Sequence, residues 1–360
     1  MDAAEICRAA VRKGASDIHL KVGLPPMLRI SGSLMPLAQA PRLTMEVMGK
    51  FAWSMMNPLQ RERFKVENDL DLAWQLSGVG RFRVNVFRQR QSIGMVLRTI
   101  PTEVKTIDEL RLPSVLKDIA VKPRGLVLVT GTTGSGKSTT LAALIEEVNR
   151  TLPHHILTIE DPVEFTFQDR RSIVNQREIG VDSMSFAAAL RAALRQDPDI
   201  ILVGELRDRE TVEIAMQAAE TGHLVLSTLH TLDAPEAINR MIGFFEPHHQ
   251  QHVRYQLAST LNAVLSQRLV PTKTGGRVAA IEIMLNTGTI SECITDPARV
   301  KEIPDHIARG SKVYRTQTFD QSVFRLLKSG VITEEAALLS VNNPDELALR
   351  LRGIGSDDWD

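Results

Sequence analysis

Gly131-Thr-Thr-Gly134-Ser-Gly136-Lys137-Ser138-Thr139 closes an apolar run, Leu126-Val-Leu-Val129, with a glycine-rich loop ending in Lys-Ser. Gly131 and Gly136 enclose four residues ahead of Lys137, the spacing of a phosphate-binding loop. Such a loop turns successive backbone N–H groups toward one point and sets a helix N-terminus behind them. Gly131, Thr132, Thr133, Gly134, Ser135 and Gly136 therefore form an anion cradle. The Lys137 ammonium reaches the β- and γ-phosphates, the Ser138 hydroxyl is a ligand for Mg²⁺, and Thr139 follows in the first helical turn. The chemistry implied is binding of a nucleoside triphosphate with Mg²⁺. A chance match in an ordinary strand-to-helix loop is the alternative; the apolar strand before it and the helical stretch 138–150 after it weigh against that.

Hydrolysis asks for more: a carboxylate to hold the metal or its waters, and a group that orients the attacking water. Asp199-Ile-Ile-Leu-Val-Gly204-Glu205 offers a carboxylate at a strand exit. Such a strand ordinarily ends in Asp; the longer Glu205 is suited to hold Mg²⁺ through water. Glu160-Asp161-Pro162-Val163-Glu164 follows another apolar run, and Pro162 stiffens it. From a position next to the phosphate-loop strand, one of its carboxylates, Glu160 or Glu164, can orient or deprotonate water. Thr221-Gly222-His223-Leu-Val-Leu-Ser227-Thr228-Leu229-His230-Thr231 puts a histidine on each side of a strand. There Ser227, Thr228 and His230 are candidates for sensing a γ-phosphate by hydrogen bonding. Each feature alone is more often a solvated acid or a satisfied histidine; their company beside a phosphate loop raises them.

Two further sets are weaker. His248 and His252 have the i, i+4 spacing that permits a metal on a helix face. No carboxylate or thiol lies near them in sequence, so a solvated helix start is the plainer reading. Arg81 and Arg83 share one face of a strand at period two, with Arg88 on the same run and Arg98 on the next. Surface arginines pair locally by default, yet such a stripe can complete a triphosphate site as an arginine finger does. Arg191 and Arg195 are similarly spaced on a helix before Asp199.

The elements that must carry these groups fall into two patterns. Residues 3–13 read as a helix, Asp17–Val22 as a strand, Met27–Leu37 as a hairpin, and Thr44 to about Met56 as a capped helix. Strands follow at Leu70–Leu76, Arg81–Arg90 and Ile93–Ile100, which suggests an α+β domain over 1–100. Residues 101–122 read as a linker holding one short helix, Leu112–Ala120. Beyond it, apolar strands at 126–130, 155–159, 200–204 and 224–229 alternate with helices at 138–150, 185–196 and 208–220. That pattern predicts a parallel sheet covered on both faces, with ligands at the carboxyl ends of its strands. Pro247–Gln267 reads as one long helix, Val278–Met284 as a strand, and helices fill Phe319–Ser329, Thr333–Ser340 and Pro344–Arg352.

Composition sets limits. The 360 residues carry 43 basic and 43 acidic side chains, so no overall polyanion-binding bias exists. Aromatics are 4% of the chain, which argues against a base-stacking surface. Cys7 and Cys293, the two cysteines, allow neither a disulfide framework nor a four-cysteine zinc site. There is no signal-peptide pattern and no apolar run long enough to cross a bilayer, so a cytoplasmic protein is expected.

Together these segments resemble the secretion-type ATPases and, within them, the type IV pilus retraction ATPases (PilT-like). Gly14-Ala-Ser-Asp-Ile-His-Leu20 and Gly80-Arg-Phe-Arg-Val-Asn85 look like that family's N-terminal signatures. The Walker A loop at 131–139 is followed by Thr158–Phe165, similar to the Asp box. Arg195–Asp208 is similar to the Walker B region and Thr221–His230 to the His box. The resemblance covers nearly the whole chain. It implies an α/β protein: an N-terminal α+β (PAS-like) domain at 1–100, a linker at 101–122, a RecA-like P-loop ATPase core at 123–285, and a helical C-terminal region at 286–360.

The same resemblance implies roles. Lys137 and Ser138 bind phosphate and Mg²⁺, Glu164 activates water, Glu205 is the metal-side glutamate, and His223 and His230 couple nucleotide state to the domain interface. Arg81, Arg83 and Arg98 are the arginines that complete an ATP site in a hexameric ring. The implied work is pilus retraction and twitching motility, with torque on an inner-membrane platform protein, peripheral membrane location and a second retraction ATPase as an additional partner. The absence of a four-cysteine insertion favours retraction over extension or type II secretion. Cys293-Ile-Thr-Asp-Pro-Ala-Arg-Val-Lys-Glu-Ile-Pro304, however, departs from the Ala-Ile-Arg-Asn-Leu-Ile-Arg-type helix of retraction motors, and Gln196 stands where the family often has Glu. The alternatives are an accessory or assembly motor, a nucleic-acid-translocating RecA-like ATPase, which the neutral charge disfavours, and a nucleotide-gated interaction protein without turnover.

Overall fold

The computed structural model describes residues 2–30, 32–100 and 104–352. The ends of the expected linker (101–103) and C-terminal region (353–360) lie outside the described residues. The chain divides into two compact units, Met1–Glu103 with Glu164–Thr166, and Val104–Val163 with Phe167–Asp360.

The first unit begins with α1 (Ala3–Arg12), β1 (Asp17–Lys21), β2 (Met27–Ile30) and β3 (Ser33–Pro36). Next come α2 (Met45–Met55), α3 (Pro58–Glu67), β4 (Asp69–Leu76), β5 (Gly80–Gln89) and β6 (Ser92–Ile100). The strands pair antiparallel throughout, in the order β3-β2-β1-β6-β5-β4. Thr44 caps α2 through Val47 N, as its residue type predicts. α3 escaped the sequence reading, although Asn57 and Gln60 close a capping box around Pro58 at its start. Along β5, Phe82, Val84 and Val86 are buried while Arg83 is exposed and Arg81 half-buried on the opposite face. Period two thus turns both arginines out together.

In the second unit, α4 (Val115–Ala120) leads into β7 (Gly125–Thr130), α5 (Lys137–Thr151), β8 (His155–Glu160) and β9 (Ile173–Glu178). Then come α6 (Phe186–Ala193), β10 (Ile200–Val203), α7 (Arg209–Glu220), β11 (Leu224–Leu229), α8 (Ala234–Gly243) and α9 (Pro247–Thr260). A hairpin of β12 (Leu261–Pro271) and β13 (Arg277–Leu285) follows. The chain finishes in α10 (Gly288–Thr295), a 3₁₀ turn (Val300–Glu302), α11 (Ile303–Arg309), α12 (Ser311–Tyr314), α13 (Phe319–Lys328), α14 (Glu334–Leu338) and α15 (Pro344–Leu351). The sheet runs β13-β12-β7-β11-β10-β8-β9, parallel except for β13. Leu126 and Leu128 face one core with α6 to α10, while Val127 and Val129 face the other with α4 and α5. Among the described residues, no helix is long and apolar enough to cross a membrane.

Three sequence expectations change. Residues 104–122 are not a free linker: Ile107, Leu112, Val115, Leu116, Ile119 and Ala120 are buried against Val127, Val129 and α5. The single helix expected at 247–267 ends at Thr260, and Leu261 onward is a strand hydrogen-bonded to β7 on one side and β13 on the other. Short apolar runs do not distinguish buried helix from buried strand, and here the open edge of β7 decides. The sheet is therefore mixed rather than wholly parallel. β9 and α8 were also unseen, β9 because its alternation of Asn175 and Arg177 with Val174 and Gln176 carries too few apolar residues.

Candidate functional site

The phosphate-type loop leaves β7 where all six strand residues are buried. Gly131 has φ +140, and a Cβ there would lie 2.5 Å from Gln267 O and 2.6 Å from Ser135 Oγ. At Gly136, φ is +94 and a Cβ would lie 2.6 Å from Gln267 Nε2. Only glycine tolerates both the backbone and the approach. Gln267, buried on β12, braces the loop with both ends of its amide. Its Nε2 donates to Ser135 O at 2.8 Å, and its Oε1 accepts from Thr140 Oγ1 at 2.7 Å. Sequence reasoning missed it, since 267 was placed at a helix end.

The Lys137 ammonium lies inside the loop, donating to Gly131 O at 2.7 Å and Thr132 O at 3.1 Å. Thr132, Thr133 and Gly134 are exposed and Ser138 and Thr139 half-buried. Gly136 caps α5 without a side-chain acceptor, whereas Ser185, Asp208, Asp233 and Thr287 cap their helices with side-chain oxygens. No cap side chain occupies the first-turn N–H groups of α5, and with the glycine loop before them this is the condition a phosphate needs.

Strand order decides what stands beside this loop. β11 adjoins β7, β10 comes next, and β8 is third. At about 4.8 Å per strand, the β8 exit lies roughly 14 Å from the β7 exit. The acidic segment after β8 is therefore not next to the phosphate-loop strand, contrary to expectation. Instead, a line of charge crosses the strand exits. Arg207 Nη1 is 3.7 Å from Asp161 Oδ2, Arg207 Nε donates to Glu205 Oε2 at 2.8 Å, and His230 Nε2 is 3.4 Å from Glu205 Oε1. A cavity of about 380 Å³ opens among Glu205, Arg207, His230, Thr231, Glu236 and Arg240.

The other candidates separate. Glu160 accepts from Thr158 Oγ1 at 2.6 Å and Gln176 Nε2 at 3.2 Å. Glu164 is exposed and grouped with the first unit. Buried Glu178, on the unexpected β9, accepts from Val163 N at 3.2 Å and pins the segment between them. Ser227 and Thr228 do not present their protons to a ligand: they donate to Val203 O at 2.6 Å and Gly204 O at 2.7 Å, locking β11 to the β10 exit. His223 precedes β11, at the opposite end from His230, and lies 2.9 Å from Ala218 O. Only His230 of the pair belongs to the site edge, because six strand residues separate them.

In the first unit, Arg83 and Arg98 are cross-strand neighbours, and Arg98 Nε donates to Asp17 Oδ1 at 2.9 Å. Burial pushes the Asp17 carboxyl up, but hydrogen bonds from Arg98 and Ser16 outweigh it and hold it below its usual range. Arg88 covers the Phe64 ring at 5.7 Å. Arg191 pairs with Glu210. The His248 and His249 rings lie 4.1 Å apart, tilted by 44°, and join no metal-ligand cluster among the described residues.

One group outside the expected set supports the His230 loop. Glu282 on β13 accepts from Ala234 N, the first residue of α8, at 2.9 Å, and from Ser266 Oγ at 3.3 Å. Burial pushes its carboxyl up to about 7, against the hydrogen bond from Ala234.

A family model described as "Type II/IV secretion system protein" matches residues 2–274. The type IV pilus retractation ATPase PilT of Pseudomonas aeruginosa is 44% identical over 345 residues, covering 96% of this chain and 99% of that protein. The type IV pilus ATPase PilU of the same species is 41% identical over 358 residues, covering 99% and 93%. A crystal structure of the pilus retraction motor PilT with bound ADP matches at a TM-score of 0.88 and 44% identity, covering 97% of this chain and 99% of that one.

Two predictions follow the supports of the loop and of α8. Gln267→Ala leaves Ser135 O and Thr140 Oγ1 without this partner; a loss of about 1–3 kcal/mol is expected in urea denaturation, together with weaker binding of a fluorescent nucleotide. Unchanged binding would mean that the brace does not shape the loop. For Glu282, the folded chain keeps a proton that the unfolded chain has released between about 4.5 and about 7. Stability contributed by the neutral carboxyl is present below that window and falls as pH rises through it. Glu282→Gln should remove that fall, on the order of 3 kcal/mol, when denaturation midpoints at about pH 5 and about pH 8 are compared.

Proposed function

Because the chain belongs to the Type II/IV secretion system protein family, we propose that it is an ATP hydrolase, a mechanochemical motor that powers type IV pilus retraction and twitching motility. The observation that carries this is the uncapped, glycine-built loop around Lys137 with Glu205 fixed two strands away by Arg207 and His230. The near full-length likeness to PilT supports the direction of its work.

In this reading residues 131–139 hold the phosphates of ATP, with Lys137 on the β- and γ-phosphates. Ser138 and, through water, Glu205 hold Mg²⁺; an alcohol oxygen and a carboxylate are the hard oxygen donors that ion takes. Mg²⁺ supplies neutralisation of phosphate charge when bound. Glu164 orients and deprotonates the attacking water. His230, whose Nε2 lies 3.4 Å from Glu205 Oε1 at the exit of the strand beside the loop strand, reports nucleotide state to the rest of the unit. Arg81, Arg83 and Arg98 complete the triphosphate site of a neighbouring subunit in the ring.

The wider organisation we propose is a homohexamer of PAS-like domains at 1–100 and RecA-like cores at 123–285, followed by the helical region 286–360. It works in the cytoplasm, peripheral to the inner membrane, on a pilus platform protein, and does not act on nucleic acid. A second reading, service beside another retraction ATPase, is favoured by the departure of residues 293–304 from the retraction-type helix.

Lys137→Ala should abolish phosphate release. Glu164→Gln should keep ATP binding and lower turnover by about 10²–10⁴-fold; full turnover in that variant moves the base role to Glu205. The cellular test is deletion of the gene, scored for surface pili and twitching. Excess pili without twitching is the expected outcome, bald cells would mean assembly, and normal twitching supports the companion-motor reading.

A further inference from the structure

The helices that follow β13 bring together three side chains of metal-binding type. Cys293 lies on α10, Glu302 ends the 3₁₀ turn and His306 lies on α11, and one ligand atom from each is within 4.8 Å of the other two. Cys293 is fully buried, whereas the His306 and Glu302 side chains are 24% and 42% exposed. His306 Nε2 stands 4.0 Å from Glu302 Oε2, too far for a hydrogen bond between them.

Geometry and charge both suit a cation. Around tetrahedral zinc, ligand atoms at about 2.0–2.3 Å from the metal lie roughly 3.3–3.6 Å from one another. Closing the trio by at most about 1.5 Å achieves this, a shift within the reach of side-chain rotation at the partly exposed Glu302 and His306. Glu292, Asp296 and Glu302 surround the thiol, against one guanidinium, Arg299. Arg299 donates to Glu292 Oε2 at 3.1 Å and to Glu302 Oε2 at 3.3 Å, so it orients Glu302 as an outer partner does.

We propose that Cys293, Glu302 and His306 form a three-ligand site for Zn²⁺ that clips α10 to α11. Thiolate, imidazole and carboxylate select zinc over the all-oxygen cations Mg²⁺ and Ca²⁺. Binding displaces the thiol proton to solvent and leaves the fourth position to water. The clip joins segments whose apolar residues, Ile290, Ile294, Val300, Ile303 and Ile307, already share one core. It also falls on the stretch, 293–304, where the chain leaves the retraction-type pattern. The site does not rest on the nucleotide reading, because none of its residues is assigned to ATP.

The test uses the full chain, stripped with a chelator and titrated with Zn²⁺ against a colorimetric indicator, beside Cys293→Ser and His306→Gln. One zinc per chain is expected, with affinity reduced more than about tenfold in each variant. Co²⁺ in place of Zn²⁺ should show a thiolate charge-transfer band that Cys293→Ser lacks. Zn²⁺ should raise the Tm of the unaltered chain and not of either variant. His306→Gln changes a partly exposed residue, so a folding defect at Cys293 would not mask the result. No stoichiometric uptake, or undiminished uptake in either variant, overturns the proposal; the latter would send the metal to the His248–His252 face.

Discussion

β7 is hydrogen-bonded on both sides, to β11 from Gly125 to Thr130 and to β12 from Leu126 to Thr130. That double pairing runs to the last residue of the strand and so fixes where, and in which direction, the glycine-built loop begins. β12 does more than flank it. Ser266 and Gln267 are adjacent on β12 and face opposite ways, one meeting Glu282 and the other the phosphate loop. Remove the pairing and both the loop brace and the start of α8 lose their foundation.

From that fixed edge the strand exits step outward in order. His230 leaves β11, Glu205 leaves β10, and Asp161 leaves β8, with Arg207 bridging the last two. The side chains behind this line are used up structurally. Ser227 and Thr228 tie β11 to β10, Glu178 holds the segment after β8, and Glu282 holds α8. Glu282 does so at a cost, since burial disfavours its charged form and pushes its carboxyl up to about 7.

Much of this was legible in the residues. The loop at 131–139, the strands at 126–130, 200–204 and 224–229, the α5 and α7 helices and the outward face of Arg81 and Arg83 all follow from local pattern. What was not legible depended on partners far away in sequence. Residues 261–267 look helical until β7 offers an edge; residues 107–120 look like a linker until Val127 and Val129 offer a core. Gln267 is an unremarkable amide in sequence, and only its approach to Ser135 and Thr140 gives it a task. His223 and His230 were already separable in the sequence, because ligands gather at the carboxyl ends of parallel strands and only His230 follows β11.

Residue types and spacing by themselves determined that this chain binds a nucleoside triphosphate, because glycine positions and a lysine at fixed offsets are a local requirement of phosphate geometry. They also determined the antiparallel first unit's alternation and the helix caps, which are matters of neighbouring residues. Only the tertiary structure decided which acidic group stands near the loop, since that depends on strand order and not on order along the chain. Two strands, β11 and β10, stand between β7 and β8, so the strand exit that leads to Glu164 lies farther from the loop strand than the exits that carry His230 and Glu205.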